Sequence, residues 1–344
     1  MKMGRIEVNT LMRLSIFFGV LMILMIPSSF AADQVFKARL SYHWFPDHNS
    51  AKMANIFAEE CKKATDGRLD IEVFPSGQLF NIRQIIPAIS QGSVEMGGVV
   101  GVMYMQVDKD FYLMGFQRFF NSFQQMRDFW LKNPEGRKAW DRLEQKLGVK
   151  NICFIPVGPA CYFSVDRPLD SMENLKGLKA RTLIPTEKPS MEAMGVNYVA
   201  VSTSEIYSAL KQGMVNMVST VPNGLKAYSW WDFLKYAQLP YHLYGDAYIT
   251  VNATWWNSLP QDIQDIVMND VAPKISKMAT DDIMQESDNI LKEFVEKHDG
   301  HVSTLSKEEL QKFVDLERNK IHPALSKNLN PDLYEAAKKH VGLE

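Results

Sequence analysis

A nine-residue pattern that occurs twice constrains the fold of this 344-residue chain more than any other feature. The first copy, AISQGSVEM, begins at position 88, and the second copy, ALKQGMVNM, begins at position 209. In both copies a helix ends at Gln-Gly, where the glycine suits the left-handed C′ position, and Val-x-Met then enters a strand. The pattern predicts one helix-to-strand corner in each of two similar α/β units, although a shared local turn without duplication is an alternative.

Strand-like runs and amphipathic helices alternate along the chain, which is typical of α/β domains with largely parallel sheets. We predict strands at 35–42, 69–74, 94–99, 149–157, 178–183, 197–201, 214–218 and 247–251. We predict helices at 49–65, 81–91, 122–147 and 185–194, and another that starts at the capping box Ser202-Thr203-Ser204-Glu205. After the last strand the chain is predicted to be helical, with a break near Gly300 and a capped helix starting at 305–310.

The first 31 residues have the composition of a secretory signal peptide. Lys2, Arg5 and Arg13 give a positive start, residues 14–26 are uncharged and apolar, and small residues precede a cut predicted after Ala31. Thirteen residues rise only about 20 Å as a helix, which is too short for the roughly 30 Å hydrocarbon core of a bilayer and argues against a retained anchor. We therefore expect an exported mature chain that is free in solution and not inserted in a membrane.

Composition excludes several classes of function. The formal net charge is −2 and falls to about −4 without the first 31 residues, so neither nucleic acid nor an anionic surface is an expected partner. No motif for a nucleophilic enzyme, a nucleotide or a metal is present, and no cofactor is predicted. Three cysteines, Cys61, Cys153 and Cys161, are too few for a disulfide framework and are interpreted as buried thiols, with a Cys153–Cys161 disulfide left open.

Arg181 is the residue that best fits a ligand-binding role. An exported α/β protein with two lobes is the architecture of a ligand trap that closes on a hinge. A trap for an organic acid needs a permanently charged group that grips a carboxylate through two parallel hydrogen bonds, and arginine provides it. Arg181 lies in LKGLKARTLIP, at the end of a predicted strand. The alternative is a surface arginine that merely ends this strand.

At these residues the sequence resembles the substrate-binding proteins of TRAP transporters, the tripartite ATP-independent periplasmic importers. The similar segments follow the family in order and spacing at 64–79, 89–97, 169–183, 194–216 and 230–242. The resemblance implies a two-lobed periplasmic binding protein fold of the α/β class, in which each lobe is a mixed sheet flanked by helices. It also implies a ligand cleft between the lobes and a long connecting helix. We expect lobe I at 32–156 plus about 248–285, lobe II at 157–247 plus about 286–344, and a monomer.

The resemblance further implies a non-catalytic protein that delivers an organic acid, clamped by Arg181, to the membrane subunits of a TRAP transporter. Three positions depart from the family. Ala160 stands where many members have a second arginine, Thr220 replaces a common asparagine, and Thr203 replaces a frequent phenylalanine. The missing cation disfavours a second carboxylate on the ligand, since an uncompensated buried charge costs several kcal/mol.

Aromatic and small residues complete the predicted site. Rings offer a flat apolar wall for a ligand, although packing in the core is the alternative for each of them. The further candidates are Trp44, His43, Gly98, Tyr162, Tyr198 and Trp230. The predicted ligand is a monocarboxylate such as a 2-oxo, 2-hydroxy or aromatic acid. Two alternative functions remain. One is a periplasmic enzyme that acts on a small acid, and the other is a sensor that presents a ligand to a membrane receptor.

Overall fold

The computed structural model describes residues 34–343, so the predicted signal peptide and its cut lie outside the described residues. Up to position 100 the alternation follows the prediction, and β2 has the predicted bounds. The elements are β1 (Phe36–Ser41), α1 (Asn49–Ala64), β2 (Leu69–Phe74), α2 (Ile85–Ser90), β3 (Met96–Val100), α3 (Phe123–Lys132) and α4 (Pro134–Leu147). Two 3₁₀ segments, Gly101–Gln106 and Lys109–Gly115, connect β3 to α3.

The second round contains shorter elements around one long strand. They are β4 (Val149–Ser164), β5 (Lys179–Arg181), α5 (Lys188–Ala193), β6 (Asn197–Tyr198), α6 (Ile206–Lys211), β7 (Met217–Thr220), α7 (Pro222–Ala227), β8 (Tyr236–Leu239) and β9 (Leu243–Asn252). The remainder is mostly helical, as predicted: α8 (Ala253–Asn257), α9 (Gln261–Asp265), α10 (Ala272–Lys297), β10 (His301–Thr304), α11 (Lys307–Leu316), α12 (His322–Ser326) and α13 (Pro331–His340).

The repeated pattern forms the same corner in both places, as predicted. Gly92 and Gly213 have φ of 72° and 65°. After α2, the amide of Gly92 donates to Ile89 and the next amide donates to Ala88, at 3.0 and 2.9 Å. After α6, the amides of Gly213 and the following residue make the same two bonds to the equivalent carbonyls, again at 3.0 and 2.9 Å. Both corners are Schellman motifs, in which a left-handed residue closes the helix and directs the chain into a strand.

We expect Gly92→Ala and Gly213→Ala to destabilise the protein by similar amounts, about 1 kcal/mol each. A side chain in the left-handed region is strained, and neither position has a close neighbour that would add a steric penalty. Urea denaturation of the two variants measures the free energies of unfolding. Asparagine, which tolerates this region better, serves as the control and should recover part of the loss. A loss of stability at only one of the two positions would contradict the structural equivalence of the two corners.

The sheet is continuous through both lobes because β4 belongs to both halves. The order of the main path is β2-β1-β3-β9-β4-β7-β5-β6. Residues 149–160 of β4 pair with β9, whereas residues 161–164 pair with β7 and β8. Strands β1, β2 and β3 are parallel, as are β5, β6 and β7, and β9 and β4 are antiparallel to their neighbours. Each half is therefore a mixed sheet, in agreement with the predicted fold class.

Helix α10 is the long helix of the fold. A short π-helical segment, Ile266–Val271, joins it to α9 without an interruption of the helical path. It packs against α1 and β4 on one side of the cleft and against α7 and β10 on the other. Within residues 34–343, no helix is both long enough and apolar enough to cross a membrane.

The prediction of a single helix over 122–147 is wrong. The helix breaks at Asn133, whose backbone is extended at φ −71° and ψ 134°. Pro134 follows, and a proline both disfavours helical geometry at the preceding residue and lacks an amide for the helix ladder. The Asn133 side chain accepts from the amide of Glu135 at 3.0 Å and caps the new helix. The Asn-Pro pair therefore makes two helices, α3 and α4.

Strands β8 and β10 were not predicted. They pair in parallel with each other, with His301 opposite Tyr236 and Thr304 opposite Leu239. Strand β10 is short and carries no buried residue, so it lacks the alternation that reveals a strand. Its existence depends on a partner 65 positions earlier in the chain, which a local pattern does not contain.

The lobe boundaries stay a prediction, because Phe36 and everything after it form one compact unit. One segment packs differently from the predicted grouping. Helix α13 lies against α4, and its Leu333 and Ala337 belong to the core of the first half. The interpretation of the cysteines as buried thiols is confirmed, since all three are buried and free.

Candidate functional site

Arg181 lies at the end of β5, beside β7, and is 9% exposed. Its Nη2 donates to Oγ1 of Thr203 at 2.9 Å, and its Nε donates to the carbonyl of Val201 at 3.5 Å. Both acceptors belong to the segment that leads into α6. A predicted pair of site residues, Arg181 and Thr203, is therefore in direct contact.

The guanidinium of Arg181 has no carboxylate within 4.0 Å among residues 34–343. Burial lowers the pKa of Arg181, while the charge of Glu187 raises it. Buried charges are normally paired, since removing an unpaired charge from water is costly. The two hydrogen bonds to Thr203 and Val201 engage neutral oxygens, so the positive charge remains available to an anion.

Thr220 lies on the same face of the sheet as Arg181. Arg181 is opposite Val218, and Thr220 follows two residues later on β7. Residues two apart on a strand point to the same side. The hydroxyl of Thr220 has no hydrogen-bond partner within the described part of the chain and is free to bond to a ligand.

Tyr162 lies on the opposite face of this sheet. It is opposite Ser219, which points away from the side that carries Thr220 and Arg181. The ring of Tyr162 stacks on His242 at 4.0 Å between centroids, and its hydroxyl donates to Gln117. The structure does not bring Tyr162 to the guanidinium. The ring of Tyr162 packs in the core, which is the alternative interpretation given above.

A buried carboxylate, Glu187, connects the chain around Arg181. One oxygen accepts from the amide of Leu183 at 2.7 Å. The other accepts from the hydroxyl of Ser219 at 2.7 Å and from Nε2 of His242 at 3.0 Å. Burial lowers the pKa of His242, although Glu187 opposes this effect. These bonds fix the loop after β5 to β7 and to the start of β9.

Trp230 supports the site from behind and does not line it. It is 1% exposed and stacks on Tyr228, with 4.8 Å between centroids and 15° between planes. Burial raises the pKa of Tyr228 and the charge of Arg181 lowers it, so Tyr228 interacts electrostatically with the guanidinium. Tyr198, a second aromatic candidate, also interacts electrostatically with Arg181.

The candidates from the first half cluster at the ends of β1 and β3. A Cβ on Gly98 would lie 2.5 Å from Cζ3 of Trp44, so the glycine provides the space that the tryptophan ring occupies. The ring of His43 lies 4.6 Å from that of Trp44, and burial lowers the pKa of His43 to about 4. Nδ1 of His43 is buried and has no hydrogen-bond partner in residues 34–343. Phe45 follows Trp44 and contacts Tyr228, so the loop after β1 meets the half of the protein that carries Arg181.

Ala160 lies where the chain passes between the two halves. It is fully buried, is opposite Leu243 on β9, and its carbonyl accepts from the amide of His242 at 2.9 Å. Because the side chain of Ala160 is a methyl group, this position supplies no positive charge.

Sequence reasoning missed Phe45, Glu187 and Tyr228. The aromatic runs YHWF and YSWW contain Phe45 and Tyr228, and their composition was the available signal. Nothing local distinguishes Glu187 from a surface residue of a helix start, since its partners His242 and Ser219 are distant in sequence. A cavity of about 570 Å³ lies elsewhere, along the outer side of β4, and is lined by residues such as Arg127, Trp140 and Ser276.

Comparison with known proteins places the chain in a family. The profile of the family described as Bacterial extracellular solute-binding protein, family 7, matches residues 40–327. The C4-dicarboxylate-binding periplasmic protein DctP of Rhodobacter capsulatus is 27% identical over 229 residues, which cover 64% of this chain and 66% of that protein.

Solved structures show the same fold at lower identity. Bordetella pertussis DctP7, an extracytoplasmic solute receptor that binds pyroglutamic acid, has a TM-score of 0.80 at 18% identity, covering 90% of this chain and 100% of that one. A TRAP periplasmic solute-binding protein from Desulfovibrio salexigens with bound orotic acid has a TM-score of 0.79 at 19% identity, covering 89% and 99%. The family match extends over most of the chain, and the chain therefore belongs to family 7 of the bacterial extracellular solute-binding proteins, the TRAP solute-binding family that its motifs predict.

Proposed function

We propose that this protein captures a small organic acid and delivers it unchanged to the membrane subunits of a TRAP transporter. Proteins of this family bind small organic acids and work with such subunits. The observation that carries the proposal is the buried guanidinium of Arg181 without a carboxylate partner in residues 34–343. A ligand carboxylate would supply the missing negative charge through two charge-assisted hydrogen bonds.

We propose further that the ligand has a single carboxylate. Ala160 removes the cation that many family members have, and Thr203 and Thr220 offer neutral hydroxyls around Arg181. A second carboxylate would then be desolvated without a partner, at a cost of several kcal/mol. Neutral hydroxyls suit the oxo or hydroxy group of a 2-oxo or 2-hydroxy acid, which needs hydrogen bonds without charge.

The proposed place of action is the periplasm, after cleavage of the first 31 residues. The mass of the protein purified from the periplasm of an expressing cell tests this directly. A mature chain that begins at Ala32 supports export by cleavage, and a chain that retains residues 1–31 contradicts it.

A thermal-shift screen with a library of organic acids tests the proposed function. A ligand at 100 times its dissociation constant stabilises the folded state by about 2.7 kcal/mol, which should raise the melting temperature of a chain of this length by about 4 °C. We expect monocarboxylates to produce this shift and dicarboxylates of similar size to produce less. Failure of every acid in the library to stabilise the protein would contradict the proposal.

Recovery of the ligand separates binding from the two alternative functions. Mass spectrometry after long incubation should return the acid unchanged, whereas conversion to a product would indicate a periplasmic enzyme. Uptake of the acid by a strain that lacks the protein should be lost. Unimpaired uptake would favour a sensor that presents the ligand to a receptor.

A further inference from the structure

An aromatic contact crosses the cleft beside Arg181. Phe45 follows β1 and Tyr228 follows α7, and their rings meet edge to face with centroids 5.3 Å apart and planes at 70°. Phe45 is 46% exposed, although phenylalanine is normally buried. A half-exposed ring at the mouth of a ligand site offers apolar surface that a bound molecule can cover.

Tyr228 is held in a fixed orientation next to the guanidinium. One face of its ring is stacked on the fully buried Trp230. Its hydroxyl has no hydrogen-bond partner among residues 34–343 and lies within the electrostatic range of Arg181. Tyr228 can therefore place its ring edge against the body of a ligand and donate its hydroxyl to the carboxylate.

The charges around these rings disfavour a second anionic group. No lysine or arginine lies over the ring of Phe45 or Tyr228 in the described residues. Lys188 is engaged elsewhere, because its Nζ lies 5.4 Å from the centre of the Tyr198 ring and 3.7 Å from Glu192. The surface that these two rings offer therefore carries no stacked cation among residues 34–343.

We propose that Phe45 and Tyr228 close on the body of the ligand while Arg181 holds its carboxylate, so that the preferred ligands are monocarboxylates with a flat, unsaturated or aromatic body. This inference rests on the proposed function and specifies its ligand class. Flat rings gain from edge-to-face and offset contacts with phenylalanine and tyrosine, which a saturated ring of the same size does not provide. Closure of the loop that carries Phe45 would also exclude water from the Arg181 carboxylate pair.

Calorimetric titration with four acids tests the ligand class: benzoate, cyclohexanecarboxylate, pyruvate and succinate. We expect benzoate to bind about fivefold more tightly than cyclohexanecarboxylate, and succinate to bind most weakly. Phe45→Leu should weaken benzoate binding by about threefold to tenfold and change pyruvate binding by less than about twofold. Equal losses for both acids, or tighter binding of succinate than of benzoate, would overturn the proposal.

Tyr207→Leu is the matched control, since Tyr207 is also a partly exposed tyrosine of the second half but packs on Phe233 with 5.0 Å between centroids. This variant should leave all four affinities unchanged. Tyr228→Phe retains the ring and removes the hydroxyl, so it should weaken benzoate and pyruvate alike. If none of the four acids binds, the proposed ligand class is wrong. The thermal-shift screen of the acid library then tests independently whether the protein binds organic acids at all.

Discussion

Arg181→Ala is expected to weaken binding of the ligand by about a hundredfold or more, which corresponds to at least about 2.7 kcal/mol. The guanidinium is buried and its charge is unpaired in residues 34–343, so no other group can replace its two hydrogen bonds to a carboxylate. Isothermal titration with the best acid from the screen measures the effect. The unliganded variant should remain folded, because the hydrogen bonds of the Arg181 side chain within residues 34–343 go to neutral oxygens of Thr203 and Val201.

Two further variants make the result specific. Arg181→Lys keeps the charge and loses the planar fork, so we expect an affinity between those of the wild type and the alanine variant. Arg167→Ala removes a half-exposed arginine that follows β4 and lies 3.5 Å from Asp166. It should leave the affinity unchanged. An Arg181→Ala variant that binds as tightly as the wild type would show that the carboxylate is held elsewhere.

Glu187→Ala should lower the free energy of unfolding by about 3–5 kcal/mol. The substitution removes the acceptor shared by three donors: the amide of Leu183, the hydroxyl of Ser219 and the imidazole of His242. The amide of Leu183 then loses this partner, while the hydroxyl of Ser219 and Nε2 of His242, which lie 3.2 Å apart, keep only each other. Urea denaturation followed by tryptophan fluorescence measures the loss.

Glu187→Gln retains one acceptor oxygen and should lose about half as much stability, because its amide nitrogen faces a donor. Glu192→Ala is the control from α5, the helix that follows Glu187, since Glu192 is exposed and its one ion pair within residues 34–343 is a 3.7 Å contact with Lys188. It should change stability by less than about 0.5 kcal/mol. A small effect of Glu187→Ala would mean that the three donors find other partners. Glu187→Gln should still bind the ligand, in contrast to Arg181→Ala.

Features that depend on neighbouring residues could be predicted from the sequence. The two helix ends at Gly92 and Gly213 follow from the need for a left-handed residue, and the capping box before α6 follows from its spacing. The break at Asn133-Pro134 was also present as a local signal, but the apolar period of the flanking residues outweighed it. Arg181 could be identified because its chemistry and its strand-end position coincide.

Features that depend on distant pairing could not be predicted. The contact between Glu187 and His242 joins positions 55 residues apart, and Tyr228 meets Phe45 across the cleft. The placement of Tyr162 required the register between β4 and β7, because a shift by one residue would move this ring to the side of Arg181. Composition gave the residue types of the site, and only the sheet register determines which of them share a face.

The pairing of strand β4 with both halves limits how ligand preference can be engineered or can evolve. Its first twelve residues are bonded to one half and its last four to the other, so a cut between the halves would leave each fragment with an open, apolar sheet edge. Neither half is then a portable module, and exchanging one half between relatives should give insoluble chimeras. Bending can instead concentrate at the irregular register between Pro156 and Gly158, where φ of Gly158 is 142°. Ligand preference in this architecture is therefore expected to change by point substitutions around an intact β4, and not by recombination of lobes.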